Sequence, residues 1–175
     1  MGQRGKNVSP MSNEGRNAYV VEHITDAMLQ LLTEKEINDI TISELCARAQ
    51  VGRASFYRNY AAKEEVLKKY LGGLLGQWVK EHELLPEPAL SDTLGSLFAH
   101  FEEHRDFYAL LNRRGMTGLL KDVLIEICGP KPQQTAREAY AYACVAYILY
   151  GWIETWFQRG MKETAEEIAG MFKGI

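Results

Sequence analysis

The chain has 175 residues, 46% apolar and 25% charged, which matches a soluble globular protein and excludes a disordered or collagen-like one. Its three cysteines, Cys46, Cys128 and Cys144, are odd in number and widely spaced. They encode neither a disulfide framework nor a zinc ribbon, and they fit a reducing compartment, most simply the cytoplasm. A net charge of −3 excludes a polycation, yet Arg48, Arg53, Arg58 and Lys63 face only Glu44 between Thr41 and Lys63. A small positive segment on a mildly acidic body suggests a local polyanion contact.

Residues 1–15 are polar and rich in Gly, Ser and Asn, and predict a flexible arm rather than a secretory signal. Arg4 and Lys6 in it could graze phosphates. Val20, Val21, Ile24, Ala27, Met28, Leu31 and Leu32 share one face of a helix predicted over 16–33. Ile37 to Ile40 carries no helical stripe and reads as a connector. Thr41-Ile42-Ser43-Glu44 matches a capping box, with Thr41 accepting from an orphan N–H and Glu44 reaching back. The short helix it opens turns Ile42, Leu45, Cys46 and Ala49 inward. Gln50-Val51-Gly52 breaks it, and a third short helix over 53–59 buries Phe56 and Tyr60.

A fourth helix shows paired apolar residues every turn: Val66 and Leu67, Tyr70 and Leu71, Leu74 and Leu75, Trp78 and Val79. Gly72, Gly73 and Gly76 lie inside it and suggest close packing or bending; no strand precedes them, so they form no phosphate loop. Pro86 and Pro88 end the region. Beyond them Ser91 or Asp92 can cap a helix carrying Leu94, Leu97, Phe98 and Phe101, and Asp106 can start another with Tyr108 and Leu111. Further helices are predicted over 116–128, 133–159 and 163–172. The most apolar stretch, from Ala139 to Ile153, falls short of the roughly 18 residues needed to cross a bilayer, so no membrane contact is expected. With no strand signal and no repeat, the fold class is all-α. An N-terminal three-helix helix-turn-helix domain (16–62) precedes a linking helix (63–85) and a C-terminal helical bundle (86–175).

Two short helices joined by a three-residue turn cannot form a core between themselves. The arrangement makes sense when the second projects outward into a DNA major groove. With Val51, Phe56 and Tyr60 inward, Gly52, Arg53, Ser55, Tyr57 and Asn59 remain outside. Arg53 can pair with guanine or clamp a phosphate, and Asn59 can read adenine or bond a phosphate. The Ser55 and Tyr57 hydroxyls suit phosphate oxygens, and Gly52 permits close backbone approach. Thr41 at one helix start and Lys63 at another would flank the groove, and Ser43 beside Thr41 joins this set.

The run from Thr41 to Tyr60, with Lys63-Glu64-Glu65-Val66-Leu67 after it, closely resembles the DNA-binding domain of the TetR family of bacterial regulators. The resemblance covers roughly 17–70. It implies an all-helical homodimer on a palindromic operator, with a C-terminal domain that makes the dimer interface and often holds a pocket whose ligand releases DNA. Three positions depart from the family pattern. Gln50 stands where Gly is usual, Gly52 replaces a polar residue, and Ala62 replaces a capping Ser or Asn. The end of the chain, from Trp156-Phe157-Gln158-Arg159-Gly160 to Glu166-Glu167-Ile168-Ala169, is similar to a short Firmicutes-type branch of the family. That similarity implies dimerisation through the last two helices.

Tyr140, Tyr142, Cys144, Tyr147, Tyr150, Trp152, Trp156 and Phe157 make the long helix apolar almost all round, so it must be covered on more than one face. Ala139, Ala143, Ala146 and Gly151 would let a second copy approach. Trp78, Phe101, Tyr108, Tyr147 and Trp156 are candidates to line an effector pocket. His100 and His104 stand one turn apart, but Phe101 occupies the position where a zincin needs Glu, so both are expected at the surface. Cys144 lacks a partner at motif distance and is expected in the core. No catalytic constellation, metal site or cofactor motif emerges, and the chain reads as a non-enzyme. A repressor that blocks a promoter fits best; an activator, or a helical module that binds a protein partner, are the alternatives.

Overall fold

The computed structural model describes residues 13–82 and 90–173, and among these every regular element is a helix. The predicted arm therefore lies largely outside the described residues, as do Pro86 and Pro88. The described residues separate into two compact units that divide after Leu67.

In the first unit, α1 (Asn13–Glu34) buries the predicted stripe of Ile24, Ala27, Met28, Leu31 and Leu32. It begins three residues before the expected start. A single 3-10 turn over Ile37–Asp39 forms the connector. It leads to α2 (Ile42–Arg48), α3 (Arg53–Asn59) and the start of α4 (Glu64–His82). Leu45, Phe56, Val66 and Leu67 are shut from solvent alongside the α1 stripe. The Cys46 thiol is buried with them, and burial pushes its pKa up, so it acts as an apolar filler.

The second unit takes the rest of α4, then α5 (Leu90–Glu103), α6 (Arg105–Arg113), α7 (Thr117–Cys128), α8 (Ala136–Gln158) and α9 (Ala165–Gly170). The helix α9 lies along α5, and α7 lies along α8. A Cβ on Gly95 of α5 would stand 3.1 Å from the Ala169 Cβ of α9, so this pair of helices meets at close range. Leu94, Leu97, Phe98, Phe101, Tyr108, Leu120, Ile153 and Trp156 form the core.

Several expectations are corrected. Ser91 and Asp92 lie inside α5 rather than before it, because the helix already includes Leu90. The two last helices start later than expected, at Ala136 and Ala165, after the N-caps Thr135 and Thr164. Each threonine side chain accepts from the backbone N–H three residues on, and each closes a capping box with Glu138 or Glu167. The glycines inside α4 pack nothing tightly: Gly73 and Gly76 face open space, and Gly72 approaches only Val123, at 4.0 Å. Cys144 is exposed rather than in the core. It belongs to a face of α8, with Tyr140, Val145 and Ile148, that none of the described residues covers.

His100 also departs from expectation. It is half-buried, and its Nε2 lies 2.9 Å from the Tyr108 hydroxyl. Burial, with the His104 ring beside it, lowers its pKa to about 4. Among the described residues no group of His, Cys, Asp or Glu could hold a metal ion.

Candidate nucleic-acid interface

The turn between α2 and α3 is built from backbone geometry that the sequence disfavours. Val51 N–H donates to Cys46 O at 3.0 Å and Gln50 N–H to Ala47 O at 3.2 Å, a Schellman closure. Gln50 takes the left-handed position with φ 55°, the one expected to be difficult without glycine. Gly52 then caps α3 at a φ of −73°, with nothing within 4 Å of where a Cβ would be. The backbone at Gly52 is therefore open to a close neighbour.

The roll of α3 is set by Phe56. Its ring is fully buried against Tyr60, with centroids 5.5 Å apart, and meets the Tyr57 ring edge-on. Burial also raises the Tyr60 pKa, partly offset by a hydrogen bond with Thr25. With Phe56 turned in, Arg53 and Tyr57 point out one turn apart, and Tyr57 remains 52% exposed.

The other predicted residues divide. Thr41 caps α2, its hydroxyl accepting from Glu44 N–H at 3.1 Å, and Ser43 is exposed beside it. The reciprocal half of that capping box is shared: the Glu44 carboxylate takes Lys35 Nζ at 2.7 Å. That contact first, and the Thr41 backbone N–H after it, hold the carboxylate below its usual range. Asn59 is half-buried, and its Nδ2 donates to Ser55 O at 3.0 Å, so its amide is turned back on its own helix. The Ser55 hydroxyl accepts from Arg58 at 2.8 Å. The Lys63 ammonium donates to Ile40 O at 2.8 Å and Asn38 O at 3.2 Å, tying the start of α4 to the connector that enters α2. Ala62 offers no cap, but Ala61 N–H donates to the Glu65 carboxylate at 2.6 Å in its place.

Charge is redistributed as well. Arg48 is held by the Glu34 carboxylate through both guanidinium nitrogens, at 2.9 and 3.2 Å, which lowers the Glu34 pKa. Among the described residues no carboxylate pairs with Arg53, Arg58 or Lys63. Arg58, counted in the positive segment but not among the expected contacts, is exposed on α3. With Arg16 and Ser55 it borders a groove of 580 Å³ between α3 and the beginning of α1. Its signal was present, since it follows Tyr57 on the outward face of α3.

In the second unit the five pocket candidates are not gathered at one site. Phe101 and Tyr108 stack with centroids 4.1 Å apart, and Trp156 stands 6.0 Å from Phe101, all within the core. Trp78 is buried and donates to Ser96 Oγ at 2.9 Å. Tyr147 is exposed on α8, with Lys121 Nζ 5.5 Å from its ring centroid. Only Trp156 of the five lines the 330 Å³ cavity between α8 and α9.

A family model described as bacterial regulatory proteins, tetR family, matches residues 24–70. A second, described as a transcriptional regulator C-terminal region, matches 89–175. The chain is 29% identical over 99 residues to the uncharacterized HTH-type transcriptional regulator YxbF of Bacillus subtilis strain 168; the match covers 53% of this chain and 26% of that protein. It is 26% identical over 98 residues to the uncharacterized HTH-type transcriptional regulator YerO of the same organism, covering 51% of this chain and 34% of that protein. The chain thus spans about a third or less of the curated relatives it matches.

Among solved structures, the fold is similar to Lin0861 from Listeria innocua, with a TM-score of 0.70 and 13% identity, covering 93% of this chain and 92% of the other. It is also similar to a TetR transcriptional regulator from Streptococcus agalactiae 2603V, with a TM-score of 0.60 and 20% identity, covering 94% and 97%.

Proposed function

Because the chain belongs to the TetR family of bacterial regulators, we propose that it is a cytoplasmic transcription regulator that binds double-stranded DNA through α3. The observation that carries this reading is the outward pair Arg53 and Tyr57, held off the protein by the buried Phe56. A guanidinium free of carboxylates can pair with guanine O6 and N7 or clamp a phosphate, and a phenol one turn away reaches the flanking backbone. Gly52 and the exposed Thr41 and Ser43 extend the same surface. Lys63 serves first as a brace for the connector, with donor capacity left for a strand. Asn59 supports α3 and would have to release Ser55 O to read a base.

Binding to a palindrome requires two copies, with recognition helices roughly 34–36 Å apart in successive major grooves. The uncovered apolar face of α8, together with α9, is the surface proposed to join them; its Tyr140, Val145 and Ile148 support this. Occupying an operator would block a promoter, which favours a repressor. The second unit would then serve dimerisation and answer a small-molecule effector. The protein acts by binding and not by catalysis.

The test is a bandshift with the DNA upstream of the protein's own reading frame. Arg53→Ala should cost about 1–3 kcal/mol of binding if it reads a base. Tyr57→Phe should weaken binding more evenly across sequences. Affinity should fall steeply with ionic strength. A bandshift unmoved by both substitutions would overturn the site. A chain that binds no DNA yet stays dimeric would leave the protein-interaction reading in its place.

A further inference from the structure

We propose that the cavity between α8 and α9 binds an uncharged aromatic molecule of about two fused rings. The proposal deepens the effector part of the reading above, but binding there does not depend on DNA.

Three elements line the space, which is open on one side. Phe98 from α5 and Trp156 from α8 form its floor, both almost wholly buried, with ring centroids 5.5 Å apart and edge to face. Trp152 and Phe172 form a wall, their centroids 4.1 Å apart, and Ile168 of α9 closes the far side. At 330 Å³ the cavity is roughly twice the ~150 Å³ that accommodates a benzene ring in an apolar protein interior. Flat ligands are favoured, since four rings can meet an aromatic guest face-on or edge-on.

Among the polar groups at the cavity, those of Thr155, Trp156, Arg159 and Glu163 already have partners, and they decide its charge preference. Thr155 Oγ1 donates to Gly151 O at 2.8 Å, and the Trp156 indole N–H donates to Glu163 O at 2.9 Å. The Arg159 guanidinium is paired with the Glu163 carboxylate. A charged guest would lose part of its hydration against the mainly apolar lining and meet no unpaired counter-charge among the lining residues. A neutral guest pays neither cost. A guest would touch α8, α9 and α5 at once, and so would fix how α9 lies on its neighbours.

The experiment titrates the full chain, without DNA, against three probes of one shape by calorimetry and thermal shift. These are 1-naphthol (neutral), 1-naphthoate (anionic) and 1-naphthylmethylamine (cationic). The neutral probe should bind and raise Tm, with both ions about tenfold weaker or more. Ile168→Trp should abolish binding by filling the space. Met171→Trp, at an exposed position of the mouth, should weaken it in a chain whose fold is undisturbed. The proposal is overturned if no probe binds, as when a partner subunit already fills the space. It is overturned equally if the three probes bind alike, or if neither tryptophan substitution alters the affinity.

Discussion

Gln50 holds a left-handed φ of 55° at the point where the chain passes from α2 to α3. A side chain there costs roughly 1–2 kcal/mol that glycine escapes. Gln50→Gly should therefore raise stability by about 0.5–1 kcal/mol after the extra entropy glycine loses on folding, read by denaturant titration. His100 makes a second residue-scale prediction. Its pKa lies near 4 when folded and near the ordinary value of about 6.5 when unfolded. The unfolded chain thus binds more protons between these values, so stability is full above the upper one and is lost as pH falls toward the lower. His104 and Glu81 act on the same ring, the first lowering and the second raising its pKa. Thermal melts should show Tm falling by a few degrees between about pH 7 and pH 5, and His100→Gln should flatten that slope. Arg53 and Tyr57 were legible from sequence because helical spacing alone turns them away from Phe56. The Asn59 bond to its own helix was not, because spacing fixes the direction of a side chain and not the partner it finds.

The short α9 shows what holds an element too brief to be stable alone. Thr164 caps it and Glu167 completes the box, while Glu102 of α5 accepts from Ala165 N–H at 3.0 Å. Thr164→Ala should cost about 0.5–2 kcal/mol, and Thr135→Ala a similar amount at α8, both measurable by urea unfolding. Both caps carry the Thr-x-x-Glu spacing in plain view. The expected helices overran them by a residue or two, because Gln133, Gln134 and Glu163 before the caps are as compatible with a helix as the residues after them. Helix order and most core faces were readable, since each amphipathic stripe has one buried side. The fate of the α8 outer face was not. Periodicity marks Cys144, Val145 and Ile148 as apolar, but whether their cover comes from the same chain or another is absent from a local pattern.

At the scale of the whole molecule, that face defines what one chain lacks. Tyr140 is 80% exposed, Val145 49% and Ile148 47%, a run of apolar surface that a monomer rarely leaves bare. Ile148→Glu should leave the melting behaviour of the isolated chain nearly unaltered, because the side chain is half in solvent already. In sedimentation it should shift a dimer to a monomer, weakening association by about tenfold or more, as a charge placed in an apolar contact would. The same substitution should abolish a dimer-sized bandshift without touching the α3 surface. A variant that stays dimeric would move the interface elsewhere on the molecule.

The corner between α8 and α9 turns through two consecutive left-handed residues, Gly160 at φ 79° and the buried Met161 at φ 58°. Arg105 donates to Met161 O at 2.6 Å and lies 5.6 Å from the Trp156 ring centroid. One guanidinium thus latches a bend that the methionine backbone would otherwise relax. In deuterium exchange the amides of Met161 and Ala165 become a gauge of that latch, slow while it is shut and quickened together once Arg105 is gone.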